Sequence, residues 1–202
     1  MFPVAIRGDA IELRELEPTD AASLAVVIAD EAVLRYTTWM GPTDLEAAEG
    51  FVRMAQETAV ATPRIEYLLA VALLATGEVI GAGGIRIEDE ASQVGWLRFI
   101  LRHDWWGRGV ATEAAKLAIR FGFEQLGLGR IEADPALGNV AAHKVLEKVG
   151  NAPRRPQNSA RSVALRTAPR RCRLCYPPRR LPGLGTTWLH PVARLRDFAM
   201  LL

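Results

Sequence analysis

Asp104-Trp105-Trp106-Gly107-Arg108-Gly109-Val110-Ala111-Thr112-Glu113-Ala114 lies between an apolar run and a segment with helical spacing of its apolar residues. Two glycines and an alanine at such a junction let the chain turn tightly enough that successive backbone N–H groups point into one concavity. A concavity of amides beside a helix N-terminus stabilises anions, because the helix end carries about half a positive charge and several unpaired donors. Phosphate oxygens are natural occupants, and no lysine is required. By itself, a Gly-x-Gly spacing also fits a tight strand-to-helix connection that holds nothing.

Downstream, Ala114, Leu117, Ala118 and Phe121 recur at helical spacing, which predicts a helix to about Gln125 with Gly127 as its stop. Arg130-Ile131-Glu132-Ala133 reads as a short strand. Asn139 is placed to cap a helix through Val145, Leu146 and Val149 that ends at Gly150. Upstream, residues 67–74, 79–88 and 93–101 read as three strands joined by tight turns, an antiparallel meander. Glycines 81, 83 and 84 would weaken the middle strand unless another backbone or a ligand approaches closely there. Before the meander come two helices, one capped by Thr19 or Asp20 and one running from Thr43 or Asp44 to about Glu57. The alternating strand Ile11-Glu12-Leu13-Arg14-Glu15-Leu16 precedes them. The order β, α, α, βββ, α, β, α predicts an α/β protein with a mixed sheet.

The turn together with its surroundings resembles the acyl-CoA-binding motif of the GNAT acetyltransferases, Gln/Arg-x-x-Gly-x-Gly/Ala. Trp106 stands where Gln or Arg is usual, and the Thr-Glu-Ala ending is typical of the Rim-type branch, which resembles ribosomal-protein N-terminal acetyltransferases. Ile11-Glu12-Leu13-Arg14, Val33-Leu34-Arg35-Tyr36 with Trp39, Glu78-Val79-Ile80-Gly81 and the stretch from Asn139 through Leu146-Glu147-Lys148-Val149-Gly150 agree with that branch. The resemblance covers about residues 1–150 and implies the acyl-CoA N-acyltransferase fold. It also implies acetyl transfer from acetyl-CoA to a primary amine, a protein N-terminus or a small molecule, by direct attack on the thioester.

The same resemblance assigns residues. The backbone amides of Gly107, Arg108, Gly109, Val110 and Ala111 bind the pyrophosphate, with Trp106 and Thr112 also counted as cofactor-binding. Phe99, Ile100 and Leu101 lie nearest the pantetheine arm, and Asn139 faces that arm. Arg35, Tyr36 and Trp39 sit in the acceptor-facing region. An ammonium must lose a proton before it attacks and the departing thiolate benefits from a donor, so a carboxylate and a hydroxyl are expected near the thioester; the candidates are Glu66, Glu88, His143 and Tyr67. The family's usual acid–base residues are missing: Leu146 takes the place of a tyrosine, Ala142 that of a serine and Gln93 that of a glutamate.

In the family, the helix ending at Gly150 leads into two long antiparallel strands. Here the following residues are Asn151-Ala152-Pro153-Arg154-Arg155-Pro156, and 7 of the 12 prolines fall within residues 151–202. Proline rejects strand interiors, so no regular closing hairpin is expected. The charge changes at the same point. Residues 1–150 carry 14 Lys or Arg against 22 Asp or Glu, whereas residues 151–202 carry 11 Arg, no Lys and the single acid Asp197. Loss of Lys and acids with a rise of Arg and Pro is what GC-rich DNA translated in another frame would give. The chain is therefore divided into a core, 1–150, and an Arg/Pro-rich tail, 151–202, frameshifted or irregular. A basic tail that meets RNA or the ribosome is the competing reading, and the tail is the only route to nucleic acid.

Cys172 and Cys175 make one CxxC without a second pair of ligands, so no metal is expected. No apolar run approaches the roughly 18 residues of a membrane span, and the N-terminus lacks an export signal, which predicts a cytoplasmic protein with no membrane partner.

Overall fold

The structure is a computed structural model that describes residues 3–37, 42–89, 93–136 and 138–150, with two short backbone segments at 152–153 and 163–165. The elements in chain order are β1 Ala5–Arg7, β2 Ile11–Glu15, α1 Ala21–Ala29, α2 Glu31–Leu34, α3 Leu45–Ala59, β3 Glu66–Leu73, β4 Val79–Asp89, β5 Val94–Leu101, α4 Val110–Glu124, β6 Arg130–Ala133, α5 Val140–Lys148, β7 Ala152–Pro153 and β8 Val163–Leu165. The sheet runs β1-β2-β3-β4-β5-β6-β8-β7, and its one parallel pair among these is β5 with β6. The expected mixed α/β sheet is thus present. Among the described residues the closing pair is reduced to two and three residues.

Alternation along the strands divides the core in two. Leu69, Val71 and Leu73 of β3 point to the layer of α4 and α5, while Ala70 and Ala72 point to α1 and α3. Small residues on the second face let those helices lie close to the sheet. On the first face, Phe121 is buried at 2 % exposure and meets Tyr67 edge-on at 5.3 Å between ring centroids. Deleting such a ring costs about 3–5 kcal/mol.

The glycines of β4 have the predicted cause. A Cβ at Gly83 would sit 2.3 Å from Arg98 O, and one at Gly81 would sit 2.2 Å from Ile100 O. A neighbouring backbone, not a ligand, occupies that space, so the strand tolerates the weaker propensity because nothing larger fits.

Several sequence expectations need correction. The strand β1 was not foreseen; three residues are too few to show a period. Gln93 is a turn residue at φ 52°, and β5 begins at Val94. Neither Thr19 nor Asp20 caps α1 with its side chain. Instead Asp20 accepts the Glu17 amide at 2.8 Å and a two-pronged ion pair from Arg14 at 2.7 and 2.9 Å, which fixes the chain's entry into the helix. Asp44 does cap α3, through the Ala47 amide.

Candidate functional site: an amide cradle beside a splayed strand pair

The cradle is built from the chain that follows β5. Arg102 locks the approach, forking onto Asp104 at 2.7 and 3.0 Å and reaching Glu78 at 2.6 Å. Those two carboxylates hold its guanidinium above its ordinary pKa. A short 3-10 turn at His103–Trp105 comes next. Gly107 and Gly109 then adopt φ 74° and 87°, values that strain any side-chain-bearing residue. Both have open space where a Cβ would go. The first helical bond of α4 is donated by the Glu113 amide to Gly109 O at 3.0 Å. Among the described residues, none of the amides of Gly107, Arg108, Gly109, Val110, Ala111 and Thr112 has a protein acceptor. This is the donor set that a diphosphate needs at a helix N-terminus.

Trp106 contributes differently from its neighbours. Its amide donates to His103 O and its indole Nε1 to Leu101 O, both at 3.0 Å. Its donors are therefore spent within the protein. Its ring touches both cores and lies 4.8 Å from His103 and 6.4 Å from Tyr36 between ring centroids. Arg108 stacks its guanidinium 4.8 Å from the centre of Trp105.

The cleft lies between β5 and β6. Their parallel register covers Val94–Trp96 against Arg130–Glu132 and stops there. On the other side of β5, the Arg102 amide donates to Ile80 O at 2.8 Å, in phase with the pairs Ala82–Ile100 and Gly84–Arg98. By the alternation of an antiparallel ladder, Leu97, Phe99 and Leu101 turn their backbone groups away from β4 and toward the diverging β6. Of the three residues expected along a pantetheine arm, Phe99 and Leu101 present their backbone to this cleft. Ile100 does not, because its own backbone is committed to β4; its side chain packs toward α1 and α3.

Asn139 stands at the start of α5, at 1 % exposure. Its Oδ1 accepts the Ala142 amide at 3.0 Å, while its Nδ2 is buried with no partner among the described residues. A buried donor left unmatched costs about 1–3 kcal/mol, which a ligand acceptor would recover. The cap and the ligand-facing roles are therefore compatible in one side chain. The open cradle, the freed strand edge and this orphan amide together fit a CoA-type molecule.

The proposed acid–base and acceptor residues are dispersed. Glu66 begins β3, is buried, and faces Arg98 at 2.5 Å and Arg86 at 3.9 Å. Burial raises its carboxyl pKa, and the arginines pull it back. Glu88 accepts the Trp96 indole. His143 lies half-buried one turn into α5, its amide bonded to Asn139 O. Arg35 is exposed at the end of α2, and Tyr36 is half-buried beside Trp106; Trp39 lies outside the described residues. Ala142 and Leu146 are fully buried.

Two site features escaped the sequence reading. Glu113 Oε1 accepts the amides of Asp9, Ala10 and Ile11 at 2.6, 2.9 and 3.4 Å, fastening the β1–β2 turn to the first turn of α4. The Thr-Glu-Ala signature contained this residue but not its partner. The second feature is Asp134, directly after β6, whose Oδ1 is buried without a partner among the described residues. Nothing in its local sequence marks it.

A strand pair that splays beside an open amide cradle is the arrangement of an acyl-CoA-dependent N-acyltransferase. The chain belongs to the acetyltransferase (GNAT) domain family, which matches residues 10–151. It is 28% identical over 141 residues to the uncharacterized N-acetyltransferase p20 of Bacillus licheniformis, covering 70% of this chain and 78% of that one. Among solved structures it is similar to Mycobacterium smegmatis RimJ in complex with CoA-disulfide, with a TM-score of 0.69 and 20% identity over 82% of this chain and 88% of that one. It is likewise similar to the ribosomal-protein-S5-alanine acetyltransferase of Vibrio fischeri, with a TM-score of 0.69 and 15% identity over 81% and 96%. These neighbours agree with the Rim-type resemblance. No described helix is long and apolar enough to cross a membrane, and no described cluster of His, Cys, Asp or Glu could hold a metal; Cys172 and Cys175 lie outside the described residues.

Proposed function

We propose that the chain transfers an acetyl group from acetyl-CoA to a primary amine, on a protein N-terminus or a small molecule, in the cytoplasm. The amine attacks the thioester directly. The observation that carries this is the run of unspent amides at residues 107–112 opening beside the freed edge of β5. The diphosphate would lie on those amides, and the pantetheine arm would run along Phe99 and Leu101 to Asn139 Nδ2. Tyr36, packed near Trp106, ties the acceptor-facing residues Arg35 and Tyr36 to the same turn. Glu66, Glu88 and His143 are the proton-transfer candidates named by the sequence. Glu66 is engaged by Arg98 and Arg86, while burial holds its carboxyl above the ordinary carboxylate pKa.

Calorimetry with acetyl-CoA, followed by thiol release over a panel of amines, tests this reading. Micromolar binding with turnover of at least one amine is expected, and absence of binding overturns it. Binding without turnover would indicate an acyl-CoA-binding relic, a reading favoured by the change of composition at residue 151, where the family match also ends. We further propose the division into a 1–150 core and a separate tail. Salt-sensitive retention on a polyanion column that is lost with residues 151–202 would support association with RNA or the ribosome.

A further inference from the structure

Asp134 is the first residue beyond both pairings of β6. The β5 side ends at Trp96 opposite Glu132, and the β8 side ends at Ala133 opposite Val163. Alternation along the strand sends Ile131 and Ala133 to the core beneath α4, so Asp134 turns to the opposite face with Glu132. Continued in register, Asp134 would face Arg98, but the parallel pairing of β5 with β6 has ended by that point. The thioester of a bound acyl-CoA would lie where that pairing stops. The carboxylate is half-buried, its Oδ1 is shielded from solvent, and no described group donates to it.

We propose that Asp134 is the catalytic base that takes the proton from the acceptor ammonium. This inference rests on the acetyltransferase reading above. The carboxylate accepts one proton from R–NH3+, leaving R–NH2. The amine lone pair then forms the C–N bond at the thioester carbonyl. The tetrahedral intermediate collapses with cleavage of the C–S bond, and the second amine proton goes to the departing thiolate to give the free thiol. Asp134 returns its proton to solvent.

The chemistry suits this group better than the other acids on that face. Arg130 is ion-paired with Glu132 at 2.8 Å, Arg98 and Arg86 are directed at Glu66, and Trp96 donates to Glu88. His143, half-buried on α5, is a further titratable group among the described residues. Burial raises the Asp134 pKa, and no neighbouring charge offsets it. A base works best when its pKa approaches the working pH, so that shift is in the useful direction.

The test compares full-length wild type with Asp134→Asn and Asp134→Glu by acetyl-CoA calorimetry and by kcat/KM against pH on an amine that wild type acetylates. The expected result is unchanged acetyl-CoA affinity for both variants. Asp134→Asn should lose about 100-fold or more in kcat and lack the acidic limb of the profile, and Asp134→Glu should restore part of the rate with a displaced limb. Retention of the limb and of a rate within a few-fold of wild type in Asp134→Asn would overturn the proposal. So would loss of acetyl-CoA binding, which would make the residue part of the binding framework. Failure of wild type itself to bind acetyl-CoA would instead remove the acetyltransferase reading, and this inference with it.

Discussion

Glu113 and Asp9, 104 positions apart, are joined by a 2.6 Å hydrogen bond from the Asp9 amide to the Glu113 carboxylate. The same oxygen takes the Ala10 and Ile11 amides, so one side chain at the head of α4 holds the turn between the first two strands. Gly8 is part of that turn because a Cβ there would meet the carboxylate at 2.2 Å. The helix that carries the cradle is thereby anchored to the far edge of the sheet.

Glu113→Ala should destabilise the protein by about 2–3 kcal/mol, since it strands backbone donors and removes an acid from a helix N-terminus. Urea unfolding would show a lower midpoint with an unchanged slope. A loss below about 0.5 kcal/mol would mean that water replaces the carboxylate without cost.

Gly109→Ala places a methyl group in open space but on a backbone at φ 87°. The penalty is conformational rather than steric, about 1–2 kcal/mol. If the turn relaxes to escape it, acetyl-CoA affinity falls about tenfold while the fold persists. Calorimetry combined with thermal melting separates these two effects.

Asn139 has a capping role and a proposed ligand-facing role that substitution can part. Asn139→Asp keeps an acceptor for the Ala142 amide and removes the Nδ2 donor, so stability should hold while acetyl-CoA binding weakens. Asn139→Ala removes both, adding a cap loss of about 1 kcal/mol. Equal stability loss in the two variants would contradict the capping role.

Asp134 links function to stability through pH. Burial lifts its folded pKa above the unfolded value, so the fold favours the protonated form. Stability from this group is full below the ordinary carboxylate pKa of about 4 and declines as pH rises through the folded value. Asp134→Asn should therefore melt higher than wild type at neutral pH, by less than about 1 kcal/mol because the group is partly exposed and screened. The gap should close on acidification. A gap independent of pH would show that charge is not its cause.

The cradle was legible because its requirements are local: two glycines, a following helical period and an asparagine cap each act within a few residues. Strands and helices of eight residues or more were recovered with ends displaced by one or two positions. Their core faces repeat with the period that packing demands. The three residues of β1 carry too little pattern to be read, and Gln93 looks like a strand residue until its turn is seen.

What the sequence determined by itself was the order of the longer elements, the glycine turn ahead of α4 and the family, all encoded in short-range spacing. Only the tertiary structure decided that Glu113 clasps the β1–β2 turn and that Ile100 turns its backbone away from the cleft. It alone placed Asp134 at the parting of two strands with a buried, unmatched oxygen. Those facts depend on register and on which strands separate, and these arise from contacts between residues far apart in the chain, which no local pattern records.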